Sequence, residues 1–130
     1  MRNESKRYYL LILIIFTLCS IHLSVKGQTV NEVRTELERL GVKHVNIVLK
    51  QSILETGWYS SYSCKTRNNI FGFRYKGMYL EFDSWQHGCK YYKDWQDRHY
   101  NGGDYYTFLK RRGYAEDPKY ISKLKSIKIK

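Results

Sequence analysis

One proline in 130 residues, no low-complexity tract and no internal repeat leave no linker at which this chain would divide. It reads as one small domain. Cysteine is also scarce, with three in all. No Cys-x-x-Cys or Cys/His spacing suggests a metal site, so neither metal nor cofactor is expected. Acid is short: 12 Asp and Glu stand against 23 Lys and Arg, a net charge of +11. Long apolar runs are missing except near the start. That excludes a polytopic membrane protein and leaves a soluble basic domain behind one apolar segment.

That segment has the layout of a secretory signal peptide. Arg2, Lys6 and Arg7 form a basic start, Leu10 to Leu18 is almost wholly apolar, and Val25-Lys26-Gly27 precedes the expected cut before Gln28. An uncleaved anchor is the alternative, but the run is short of the about 20 residues a spanning helix needs. Lipidation at Cys19 is disfavoured by the bulky Leu18 before it. Residues 1–27 are thus read as a leader and 28–130 as the domain. This implies a secreted or periplasmic location, with membrane contact only through the leader. Subtracting the leader's net +3 (Arg2, Lys6, Arg7 and Lys26 against Glu4) from +11 leaves +8. Such a surface attracts polyanions, and export makes nucleic acid the least expected of them. A monomer is expected. Cys64 and Cys89 remain. Either they close a disulfide loop of about 25 residues, contributing about 3 kcal/mol, or they are two buried free thiols.

What the chain has in abundance is local signal. Val30, Val33, Leu37 and Leu40 mark a helical face stopped at Gly41. A second helix over 43–56 carries Val45, Val48, Leu49, Ser52 and Ile53 on one face, and Gly57 follows its end. Residues 70–83 switch to alternation around Lys76-Gly77, which predicts a β-hairpin. Asp83 or Ser84 caps a third helix with Trp85, Cys89, Tyr92 and Trp95 as its stripe. Asp104 opens a fourth that ends at Gly113. Asp117-Pro118 starts a fifth with Ile121, Leu124 and Ile127 inward. The expected fold is mainly α (α+β): about five helices with one small β-hairpin lobe. Aromatics are plentiful at 13 Tyr, 3 Trp and 5 Phe. Tyr59, Tyr62 and Tyr79 fall in loop or hairpin positions, where exposed rings suit the C–H faces of sugars.

Glu55 is the residue out of place. It ends an apolar helix, where the macrodipole places about half a negative charge and disfavours a second anion. Apolar neighbours add desolvation, which also favours the neutral acid. A carboxyl kept protonated near neutral pH is what a glycosidase needs to protonate a leaving oxygen. The plainer alternative is a solvated glutamate near a helix end.

Three blocks occur in order: Gln51-Ser52-Ile53-Leu54-Glu55-Thr56-Gly57-Trp58, then Asn68-Asn69-Ile70-Phe71-Gly72, then Gly113-Tyr114-Ala115-Glu116-Asp117-Pro118-Lys119-Tyr120. Together they resemble the bacterial endo-β-N-acetylglucosaminidase (glucosaminidase) family of cell-wall hydrolases. The resemblance implies a lysozyme-like fold and cleavage of peptidoglycan glycan strands after N-acetylglucosamine. It maps the catalytic glutamate onto Glu55 as general acid. Tyr114 matches a tyrosine near the catalytic site, there to stabilise the transition state or hold the acetamido group; a core aromatic is the equal alternative. Trp58, Asn69 and Tyr79 are candidate substrate contacts, with Asn69 mainly a turn residue. Asp117 is explained as a cap.

Relatives carry a longer hairpin lobe with a further acid, and this hairpin is short. Glu81 is the candidate base, pointing into the cleft or to solvent according to the strand's alternation. The substrate's own acetamido group is an alternative that needs no second acid. The competing functional class is an inactive or weak peptidoglycan-binding module, and after it a secreted basic protein that binds anionic lipid.

Overall fold

The computed structural model describes residues 28–130, so the expected leader lies outside the described residues. Among these residues the order is α1 (Val30–Arg39), α2 (Val45–Thr56), α3 (Tyr62–Arg67), β1 (Arg74–Tyr75), β2 (Met78–Tyr79), α4 (Trp85–His99), α5 (Tyr105–Arg112) and α6 (Tyr120–Ser126). The architecture is mainly helical with one two-stranded antiparallel hairpin, as expected. No helix of the described residues is long and apolar enough to cross a membrane.

Local chemistry explains the ends. Thr29 and Glu32 form a reciprocal capping box at α1. Ser84, not Asp83, accepts the His87 N–H at the start of α4, and Asp104 accepts from Thr107 at the start of α5. Helix α6 begins later than the Asp117-Pro118 signal: a turn intervenes, with Asp117 Oδ1 accepting the Lys119 N–H at 2.8 Å.

Helix α2 packs against both α1 and α6, and α1 also meets α4. Val33 and Leu37 of α1, Val48, Leu49 and Ile53 of α2, and Leu124 of α6 are essentially inaccessible. Each such side chain contributes about 1.5–3 kcal/mol by leaving water. Two expectations shift here. Segment 62–67, read as loop, is a short helix capped by Ser61. The buried stripe of α4 is Gly88, Cys89, Tyr92 and Gln96, while Trp85 and Trp95 are half-buried.

The cysteines are free thiols, both buried. This is the second of the two arrangements the sequence left open, and the candidate disulfide is not formed. Cys64 Sγ accepts from Gln28 Nε2 at 3.0 Å. Burial raises both thiols, Cys89 to about 12, so each is held protonated and packs as a small hydrophobe.

The hairpin turns at Lys76 (φ 49°) and Gly77 (φ 80°), the paired positive φ of a type I′ turn. Its register pairs Arg74 with Tyr79 and Tyr75 with Met78. One further backbone bond joins the arms, from the Leu80 N–H to the Phe73 carbonyl at 3.0 Å, and there the Asn69 side chain ties them together. Asn69 Nδ2 donates to the carbonyls of Phe73 (2.8 Å) and Leu80 (2.9 Å), and its Oδ1 accepts the Phe73 N–H (3.0 Å).

Candidate active site

The end of α2, the hairpin and the segment joining α5 to α6 enclose a cleft of about 640 Å³. Leu54, Glu55, Phe71 and Gly72 lie at its base. Arg74 and Tyr79 come from the hairpin, Trp95 from α4, and Tyr114, Glu116 and Asp117 from the segment before α6.

Glu55 sits in the last turn of α2, which stops at Gly57 in the left-handed region (φ 55°). The opposing chain comes very close. A Cβ at Gly72 would lie 2.7 Å from Glu55 Oε2, and Gly72 itself has φ 68°. Only glycine fits both demands. The Asn68–Gly72 block therefore lays bare backbone against the carboxyl.

Glu55 is exposed along its side chain, yet protein surrounds its carboxyl closely. The enclosure dominates, and desolvation raises its pKa above the ordinary 4.5. A hydrogen bond from Tyr120 and the charge of Arg74 pull in the opposite direction without cancelling it. Burial among protein groups thus shifts the carboxyl toward its neutral form.

Behind Glu55 lies a buried polar cluster. Gln51, one turn earlier on α2, donates through Nε2 to the Tyr120 hydroxyl at 3.3 Å. The tyrosine's own proton is thereby left for Glu55. The Tyr92 hydroxyl donates to Gln51 Oε1 at 2.5 Å, and the Tyr92 and Tyr105 hydroxyls are 2.7 Å apart. Gln96 Nε2 donates to Tyr105 at 2.9 Å. Among the described residues no buried side-chain nitrogen or oxygen lacks a partner.

The structure brings together some of the residues singled out in sequence and separates others. Tyr114 lines the cleft beside Glu55, half-buried, and stacks on Tyr120 with ring centroids 5.8 Å apart. Its hydroxyl donates to the Phe71 carbonyl at 2.7 Å, and burial holds its pKa well above the ordinary range. Tyr79 lines the cleft with its ring under the Arg74 guanidinium, 4.1 Å from the centroid. Asn69 is buried and its amide is spent on the hairpin base, so it does not face a sugar. Trp58 is 57% exposed and stands outside the residues that line the cleft. Glu81 likewise lies outside; its carboxylate is 74% exposed and pairs with Arg67 Nε at 3.6 Å. The strand alternation that would have aimed it inward ends with the ladder at Tyr79.

Sequence reading passed over Arg74, Tyr120, Gln51 and Glu116. Three of them lie inside the blocks already quoted. Arg74 alternates with Tyr75, the pattern that places it on the cleft face.

A carboxyl shifted toward its neutral form in an aromatic-lined cleft is the equipment of a glycoside hydrolase. The model of the Glucosaminidase family, described as mannosyl-glycoprotein endo-beta-N-acetylglucosaminidase, matches residues 30–129, and the chain belongs to that family of peptidoglycan hydrolases. Among solved structures it is similar to the catalytic domain of the autolysin Auto from Listeria monocytogenes, with a TM-score of 0.57 and 21% identity over 75% of this chain and 78% of that one. At that identity the likeness is one of fold. Comparison with individually curated proteins finds no match.

Proposed function

We propose that this domain is an exported endo-β-N-acetylglucosaminidase of peptidoglycan and that Glu55 is its general acid. The observation that carries this reading is the state of the Glu55 carboxyl: reachable from the cleft, backed by the Gly72 backbone, and raised in pKa by enclosure. A glycan strand lying in the cleft would present a glycosidic oxygen to that proton. As the β-1,4 bond breaks, the oxygen takes the proton and the departing sugar leaves as a neutral hydroxyl. Arg74 then faces a newly formed carboxylate, which its charge stabilises. Tyr79 and Tyr114 supply ring surface for sugar faces along the cleft. The mature domain's +8 charge favours residence among the anionic polymers of the cell envelope.

Zymography on purified peptidoglycan, followed by mass spectrometry of the products, tests the reading. The wild-type domain is expected to clear the gel and release fragments with N-acetylglucosamine at the reducing end. Glu55→Gln keeps the shape but has no proton to give, and should lose at least about 100-fold in rate. Fragments ending in N-acetylmuramic acid would reassign the bond. Absence of clearing with retained pull-down on peptidoglycan would leave a wall-binding module instead.

A further inference from the structure

The acid alone does not complete a hydrolysis; the attacking water also needs a base. Three acids line the cleft: Glu55, Glu116 and Asp117. Asp117 is committed, with Oδ1 on the Lys119 N–H at 2.8 Å and Oδ2 paired with Lys123 Nζ at 2.5 Å. Glu81 is held by Arg67 outside the cleft. Glu116 is exposed to water and makes no hydrogen bond or ion pair among the described residues.

We propose that Glu116 is the general base of this site, activating water for single displacement at the anomeric carbon on the face opposite Glu55. The inference rests on the reading of Glu55 as the acid. Arg74 supports it: its guanidinium feels both the Glu116 and the Glu55 carboxylates, while no hydrogen bond joins the two acids. Glu55, Arg74 and Glu116 line one cleft of about 640 Å³, space enough for a water beside a sugar ring. Inverting enzymes need about 6.5–9.5 Å between their carboxyls for this purpose. Protein surrounds the Glu55 carboxyl closely, and Glu116 is exposed at the cleft.

The step balances. A water lone pair forms the new C1–O bond while Glu116 takes the water's proton. The C1–O bond to the leaving sugar breaks, its electron pair moves to the departing oxygen, and that oxygen takes the Glu55 proton. Glu55 ends ionised and Glu116 protonated, and exchange with solvent resets both.

The experiment compares wild type, Glu55→Gln, Glu116→Gln and Glu116→Ala as full chains on peptidoglycan fragments, with kcat and KM, azide rescue and the anomer first formed as readouts. Expected are a fall in kcat of about 100-fold in Glu116→Gln with KM little changed, recovery of Glu116→Ala by azide with an α-glycosyl azide as product, and an α-anomer as the wild type's first product. Wild-type kcat in Glu116→Gln, or a β-anomer first, overturns the proposal while leaving Glu55 in place. An inactive wild type overturns both.

Discussion

Two hydrogen-bonded clusters hang from the same helix one turn apart, and they behave in opposite ways. Around Gln51 every donor and acceptor is matched within the protein: Tyr92, Tyr105, Gln96 and Tyr120 close the set. Around Glu55 the matching is partial: Tyr120 and Arg74 reach it, and its other side faces the cleft. A small domain thereby holds one polar set closed and leaves one acid open to its cleft. Buried polar groups must be satisfied, and satisfied groups are fixed. That rigid set orients Tyr120, and Tyr120 orients the open carboxyl.

Gln51→Leu attacks the closed cluster and should have the largest effect. It leaves the Tyr92 hydroxyl without its acceptor and removes the donor to Tyr120, at about 1–3 kcal/mol for each stranded group. Each kcal/mol lowers Tm by about 4–8 °C in a domain of this size. An unchanged Tm in thermal denaturation would break the distinction between the clusters.

Gly72→Ala attacks the open cluster from the other side. The new methyl would lie 2.7 Å from Glu55 Oε2, on a backbone at φ 68°. The conformation alone costs about 1–2 kcal/mol. A carboxyl displaced by about 1 Å can lose about 100-fold in rate. The decisive measurement is kcat against Tm: activity should fall further than a global loss of folded protein explains.

Tyr120→Phe joins the two clusters and should act mainly on pH dependence. The Tyr120 hydrogen bond lowers the Glu55 pKa, so removing it raises that pKa further. Glu55 must be protonated to act, and activity is lost as pH rises through its folded value. The basic limb of the kcat/KM profile should therefore move to higher pH in the variant. The sign for stability is the same in both proteins: a raised carboxyl favours the fold while protonated, and this contribution is lost as pH climbs from the unfolded value through the folded one. A basic limb that stays in place would mean that Tyr120 does not hold Glu55 in the free enzyme.

Glu81→Gln should do least. Its pair with Arg67 is exposed, and such pairs contribute about 0–1 kcal/mol. Peptidoglycan hydrolysis should keep its wild-type rate. A loss of activity would return Glu81 to the reaction and weaken the case for Glu116.

Much of the fold was legible because its signals are local. Thr29, Ser84 and Asp104 cap the helices they precede, and Lys76-Gly77 turns the hairpin. Helix α3 escaped because six residues cannot show an apolar period. The hairpin read as longer than its ladder because Asn69 replaces strand bonds with side-chain ones, and alternation cannot reveal that substitution. The same early end to the strand left Glu81 on the outside. The polar cluster was hidden for another reason: Gln51 finds Tyr92 and Tyr120 at sequence separations of 41 and 69, where no periodicity speaks.

The amino-acid order by itself determined that an acid would sit in the last turn of an apolar helix, because helix stops depend on the residues within a turn of them. Which groups meet that acid was decided only by tertiary packing. Gly72 and Arg74 reach it from the hairpin segment, and Tyr120 from the last helix. Desolvation and charge, the forces that set a carboxyl's proton affinity, depend on proximity in space rather than along the chain.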